Sequence, residues 1–161
     1  MAVMLGYCLV VGVKAMGKGR NGPWLVNPLT NHRGHFRLRE FENRDGLVMV
    51  HMELLRGLEL LRADLCEAFA SDVGIVVTDG VRTQGDLERL AGELGWLDEG
   101  GLVSRDSRHL AKYGGIAADI YAISNTRVVP HAALLALARR HFDFVKGYDT
   151  HVHVDQRERG A

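Results

Sequence analysis

Two histidines stand two residues apart in "THVHVD", His151 and His153, alternating with Val152 and Val154. On an extended strand, residues two apart point to the same face, so both imidazoles can reach one site while the valines face a core. Alone, such a pair reads more readily as a solvent-facing strand edge. The upstream stretch "SRHLAKYGGIAADI" adds His109 and Asp119, and these shift the balance. Two imidazole nitrogens and one carboxylate oxygen make a three-ligand set suited to catalytic zinc, with the fourth position open to water. Zinc held in that way lowers the pKa of its water towards ~7 and polarises a carbonyl, the two requirements for hydrolysing an amide near neutral pH.

The elements that must position these residues follow from hydrophobic period. Between Leu47 and Phe69, the residues Leu54, Leu58, Leu61, Leu65 and Phe69 recur every three or four positions, which predicts the main core helix. "GIVVTDGVRT" is a β-branched run from Ile75 to Thr78, ending in a glycine turn that presents Arg82. "TQGDLERLAGELG" reads as a short helix stopped at Gly95. "GGIAADIYAI" mixes small and β-prone residues, as a buried strand does where something packs closely on it. "PHAALLALARRHF" carries Pro130 near its first turn and is rich in Ala and Leu, predicting a helix. "FDFVKGYDTHVHVDQR" reads as two short strands broken at Lys146-Gly147. "HFRLREFENRDG" reads as a short extended piece running into a turn at Asp45-Gly46. Residues 14–34 are dense in Gly, Pro and Asn with no sustained period and read as loop. The expected organisation is an N-terminal extension or linker over 1–34 and one folded domain over 35–161.

With 161 residues, 47% of them hydrophobic and 25% charged, the chain has the composition of one globular domain with a real core. Twenty basic residues balance twenty acidic ones, so charge gives no case for a nucleic-acid or anionic-membrane partner. Cys8 and Cys66 are far apart and lack Cys-x-x-Cys spacing, which argues against a zinc ribbon or a disulfide framework. The apolar run in "MAVMLGYCLVVGVKAMGKGR" is followed rather than preceded by its positive charges. That order is wrong for a signal peptide, and the run is short of the ~20 residues of a spanning helix. It reads as a strand or docking segment, and no integral membrane segment is expected.

In order along the chain, Ser107, His109, Gly115, Ala117 and Asp119 resemble the Ser-x-His-x-x-Gly-x-Ala-x-Asp pattern of the D-Ala-D-Ala carboxypeptidases and L-Ala-D-Glu endopeptidases. "HVHVD" resembles that family's C-terminal ligand pair, and "VTDGVRT" its strand and turn "SGYRT". The similarity runs over roughly residues 35–157. Two departures stand out. The family places two residues between the motif histidine and glycine, where "LAKYG" places five. Members with a carboxylate three residues before the last ligand would need one at Thr150, which leaves His151, or Asp149, to move the proton.

The resemblance implies an α+β fold, shared with the hedgehog domain, in which a small antiparallel sheet carries a zinc site and is backed by helices around 47–70 and 130–142. It implies zinc (Zn2+) on His109, Asp119 and His153, with His151 facing the water or the developing oxyanion and Arg82 contacting a substrate carboxylate. Asp155 would accept the second N–H of a ligand histidine or pair with Arg157, or stand as a plain strand-end charge. Ser107 would hydrogen-bond near the metal or start the loop. The other histidines match no motif position and read as surface or satisfied core residues. The expected substrate is the peptidoglycan stem peptide. The setting is cell-wall degradation or phage lysis, with cytoplasmic accumulation before action at the wall, or a place in the virion. The rivals are a zinc-bearing binding or virion structural module without hydrolysis, and a metal-free structural domain.

Overall fold

The computed structural model describes residues 22–94 and 107–157. The N-terminal apolar run with Cys8, and Gly95 as a helix stop, lie outside the described residues. The core helix forms as α1, Met52–Phe69, and Leu54, Leu58, Leu61 and Leu65 on it are fully buried, each worth about 1.5–3 kcal/mol relative to exposure. It begins later than Leu47 because Val48 and Val50 are buried from a non-helical segment. The His51 ring then caps the helix by accepting from the Glu53 N–H.

The remaining elements are β1 (Trp24–Val26), β2 (Arg33–Arg37), β3 (Val73–Asp79), α2 (Gln84–Leu94), β4 (Ala117–Ser124), β5 (Arg127–Val128), α3 (His131–Ala138), β6 (Phe144–Gly147) and β7 (Val152–Asp155). The main sheet runs β3-β4-β7-β6, with β5 paired to β4, and every pairing is antiparallel. The architecture is mixed α/β, with small antiparallel sheets and, among the described residues, three α-helices. None of those helices is long and apolar enough to cross a membrane.

Alternation gives this sheet two distinct faces. Val73, Ile75 and Val77 of β3, Ala118, Ile120 and Ala122 of β4, and Val152 and Val154 of β7 join the core with α1 and α3. Asp119, His153 and Asp155 have the opposite parity and face away from the helices.

Three local readings differ from the sequence expectation. Part of the segment read as linker forms β1 and the start of β2, which pair as a hairpin and bury Leu25 and Phe36; the three apolar residues of β1 sit between turn-forming residues that hide their period. The break before the last strand falls at 148–151, because Lys146 and Gly147 stay paired with His153 and Val152. Gly147 is small there for packing rather than for turning: a Cβ on it would lie 2.7 Å from His131 Cε1. The third helix stops at Ala138, and Phe142, expected within it, lies in the following turn.

Candidate metal centre

One cross-strand row carries most of the site. Asp79 pairs with Asp119, Asp119 with His153, and His153 with Lys146, so β3, β4, β7 and β6 each present one polar side chain to the same face. Asp79 reaches this row through a bulge. Val77 pairs with Ile120 and Asp79 with Asp119, leaving Thr78 as the extra residue. In uninterrupted register Asp79 would oppose Ala118 and face the core. The Thr78 hydroxyl donates to the Asp119 carbonyl across the bulge, at 3.1 Å.

His109 comes from a turn rather than a strand. Its backbone is fixed by an isolated parallel bridge between Arg82 and Leu110, with Arg82 N–H donating to His109 O at 2.7 Å and Ala111 N–H to Arg82 O at 2.9 Å. The longer "LAKYG" segment folds as one 3-10 turn, Ala111–Tyr113, closed by Gly114 at φ +74°. Gly115 follows at φ +72°, and a Cβ there would lie 2.4 Å from Met49 O. The motif glycine is therefore required both by left-handed backbone and by close approach. Its carbonyl accepts the His51 N–H at 2.9 Å, tying β4 to the start of α1.

These elements bring His109, Asp119 and His153 together as a set able to hold a metal ion. Asp119 Oδ1 lies 3.1 Å from His109 Nε2 and 2.9 Å from His153 Nδ1, and the two nitrogens are 3.0 Å apart. Four-coordinate zinc with N and O donors at 2.0–2.1 Å separates its ligands by about 3.3 Å, so the donors need only small adjustments. The second nitrogen of each ring faces an acceptor. His109 Nδ1–H donates to Gly80 O at 2.6 Å, and His153 Nε2–H donates to Asp155 Oδ2 at 3.0 Å. With both N–H groups turned outward, the inward atoms are two nitrogen lone pairs and a carboxylate oxygen. Such a triangle repels itself unless a cation joins it, either a shared proton or a metal, and the anchoring acceptors are those expected of metal-bound imidazoles.

In the metal-free site the electrostatics favour the shared-proton arrangement. Burial would raise the Asp119 pKa, but hydrogen bonds from His109 and His153 outweigh it and hold the carboxyl far below the usual range. Burial would lower that of His153, yet its bonds to Asp119 and Asp155 bring it above the ordinary imidazole value. Asp155 is fully buried; burial pushes its pKa up, while the Arg157 guanidinium and His153 draw it down to about 2. It serves both partners between which the sequence left a choice, since Arg157 Nε and Nη2 reach its two oxygens at 2.9 and 2.7 Å.

The second oxygen of Asp119 faces His151 Nε2 at 3.6 Å and Arg82 Nη2 at 3.4 Å. His151 is held on several sides: Nδ1 contacts Thr150 Oγ1 at 3.0 Å, the ring stacks on Tyr148 at 4.7 Å, and its carbonyl accepts from Tyr148 N–H and the His131 ring. Arg82 also donates from Nε to Asp79 Oδ2 at 2.8 Å, a partner that the "DG" turn did not reveal. Ser107 borders the cleft, and its carbonyl accepts the Leu110 N–H. Asp149 is exposed on the β6–β7 turn and does not border the cleft. Of the other described histidines, His35 binds Glu59 and His141 binds Asp64.

The three donors open into a cleft of about 550 Å³, within the range of small-ligand sites. A smaller cavity of about 210 Å³ beyond Arg82 contains none of the donors, so the larger one is the space in which chemistry at the site would take place.

No family model and no curated protein matches the chain. Among solved structures, it is similar to the L-Ala D-Glu endopeptidase ChiX of Serratia marcescens, with 23% sequence identity and a TM-score of 0.42 over 70% of this chain and 85% of that one. The chemistry of the site rests on its own geometry and not on that likeness.

Proposed function

We propose that the protein is a zinc-dependent metallopeptidase that hydrolyses an amide bond of the peptidoglycan stem peptide, at D-Ala-D-Ala or L-Ala-D-Glu. One observation carries the reading: three lone-pair donors converge within 3.1 Å while both imidazole N–H groups are anchored outward. The order of motifs through Ser107, His109, Gly115, Ala117, Asp119 and His153 supports the same activity. When bound, zinc supplies Lewis acidity for the substrate carbonyl and makes water nucleophilic near neutral pH.

In this reading His109, Asp119 and His153 hold the metal, and Gly80 O and Asp155 fix the tautomers of the two rings. His151 presents Nε2 to the cleft, with Nδ1 engaged by Thr150, and accepts and returns a proton at that atom. Arg82 bridges Asp79 and Asp119, stabilising the ligand carboxylate. The inferred setting is cell-wall degradation or phage lysis, with the protein reaching the wall from the cytoplasm or carried on a virion.

A second reading, a zinc-bearing binding or virion structural module, is favoured by Thr150, which stands where some relatives of this type carry a carboxylate. Elemental analysis of the purified protein, together with mass spectrometry of fragments released from defined muropeptides, separates the two. The enzyme carries about one zinc per chain and releases new amino termini, whereas metal without release identifies the binding module. Absence of metal, with His153→Ala leaving metal content and folding unchanged, overturns both.

A further inference from the structure

The zero net charge of the whole chain conceals an uneven distribution. Residues 1–39 contain six lysines and arginines and no aspartate or glutamate, so all twenty acidic residues lie beyond them. The described part of this acid-free stretch is the β1–β2 hairpin. Its inner side is pinned to α1: the buried Glu59 carboxylate accepts the His35 backbone N–H at 2.8 Å and the ring Nδ1–H at 2.7 Å. A Cβ on Gly34 would lie 2.6 Å from Glu59 Oε1, so the strand is seated closely. Its outer side is unpartnered. Among the described residues six large hydrophobic side chains are exposed, and three of them, Trp24, Val26 and Leu29, belong to this one hairpin. Leu29 is presented at the connecting turn by Asn27, whose side-chain oxygen accepts the Leu29 N–H at 2.8 Å. Beside them, Arg37 Cζ and Arg33 Cζ lie 4.1 and 4.4 Å from the Trp24 ring centroid. Neither guanidinium forms an ion pair among the described residues. Glu40, the first acid in the chain, accepts the Arg37 backbone N–H at 2.8 Å, and Arg39 lies 3.8 Å from Glu42.

We propose that the outer face of the β1–β2 hairpin docks on an anionic lipid surface, with Arg33 and Arg37 on the phosphates and Trp24, Val26 and Leu29 in the boundary beneath them. Scattered exposed hydrophobics need no explanation, but here three share one rigid hairpin with two arginines whose charge no carboxylate cancels. Anionic lipids attract such arginines. Trp favours the level of the headgroups, where its ring meets both water and acyl chain. The apolar residues choose between anionic partners, because a soluble polyphosphate would meet the guanidiniums and leave Val26 and Leu29 in water, whereas a bilayer takes up both. None of the five residues borders the cleft of the candidate metal centre, so the surface is separate from the chemistry there and stands whether or not the protein is a peptidase.

The test is co-sedimentation of the full chain with vesicles of phosphatidylcholine alone and of equal parts phosphatidylcholine and phosphatidylglycerol. Binding is expected to the anionic vesicles only, and to weaken as ionic strength rises. Replacing both arginines, Arg33→Gln with Arg37→Gln, should weaken it roughly 30-fold, about fivefold for each. Leu29→Ser, at the turn, should weaken it about tenfold without touching a charge. Arg127→Gln is the control, an exposed arginine on β5 beside the exposed Val128, and should leave binding unchanged. Thermal melts of each variant establish that the fold is intact. Equal sedimentation with both kinds of vesicle, or with neither, overturns the proposal. So does anionic binding that survives the arginine and Leu29 variants, which places the contact elsewhere in the chain, or an equal loss in Arg127→Gln, which reduces it to overall charge. Soluble polyphosphate that displaces the protein from vesicles, with Leu29→Ser indifferent, identifies a polyanion site instead. A dimer in sedimentation velocity that Leu29→Ser abolishes, without vesicle binding, identifies an interface between two copies.

Discussion

Asp155→Asn separates a ligand-orienting carboxylate from a bystander. Asp155 Oδ1 accepts from the Arg157 backbone N–H at 3.2 Å and from Arg157 Nε at 2.9 Å, while Oδ2 accepts from Arg157 Nη2 at 2.7 Å and His153 Nε2–H at 3.0 Å. An amide has the same shape but replaces one acceptor with a donor, and in either orientation that NH2 meets two donors. If it takes the Oδ2 position, His153 Nε2 is pressed to accept, which moves the ring proton to Nδ1, the atom facing the metal site. Loss of such an orienting partner lowers metal affinity by roughly 10–100-fold, or about 1.4–2.8 kcal/mol. Because Arg157 is partly exposed and rehydrates, the metal-free fold should lose only about 1–2 kcal/mol. Zinc competition against a chromophoric chelator gives the first quantity, and thermal melts of the metal-free protein followed by circular dichroism give the second. Asp149→Asn, on the exposed turn, is the matched control and should leave both unchanged. Wild-type zinc affinity in an Asp155→Asn protein that is folded without metal would refute the orienting role.

Zinc affinity should also depend on pH through His153, whose pKa in the metal-free fold is raised above 6.5. The protonated ring stabilises the metal-free fold fully below the unfolded-state value, and that contribution is lost as pH rises through the folded one. Metal requires the deprotonated ring, so apparent affinity should weaken as pH falls through the same range, beginning above 6.5; a flat competition titration between about pH 5.5 and 8.5 would contradict this. Gly115→Ala should destabilise the protein by roughly 2–4 kcal/mol, combining left-handed backbone strain with a Cβ forced against Met49 O. Urea denaturation measures it, and a loss below about 0.5 kcal/mol would show that the 49–51 segment yields easily.

Much of the scaffold was legible because it depends on local period. The leucine spacing specified α1, and the alternation in "HVHVD" specified which side chains of β7 share a face. Element ends were less legible. The start of α1 depended on Val48 and Val50 finding burial outside the helix, and β6 continued through Gly147 because its ladder to β7 outweighed a turn-like dipeptide. The strands of the N-terminal hairpin are too short to show a period amid Gly, Pro and Asn.

The sequence by itself determined which residues have ligand chemistry and which faces of β4 and β7 they occupy, because residue type and two-residue alternation are properties of the chain. It also marked Gly115, whose necessity became clear only when Met49 O was found where a Cβ would stand. Tertiary structure alone decided what meets what. The bulge at Thr78 turns Asp79 to the site face, the Arg82–Leu110 bridge swings His109 over Asp119, and the ladder between β6 and β7 places Lys146 beside His153. None of these can be read from spacing, because each is set by register between segments far apart in the chain. A shift of one residue in any of them would send the side chain to the opposite face.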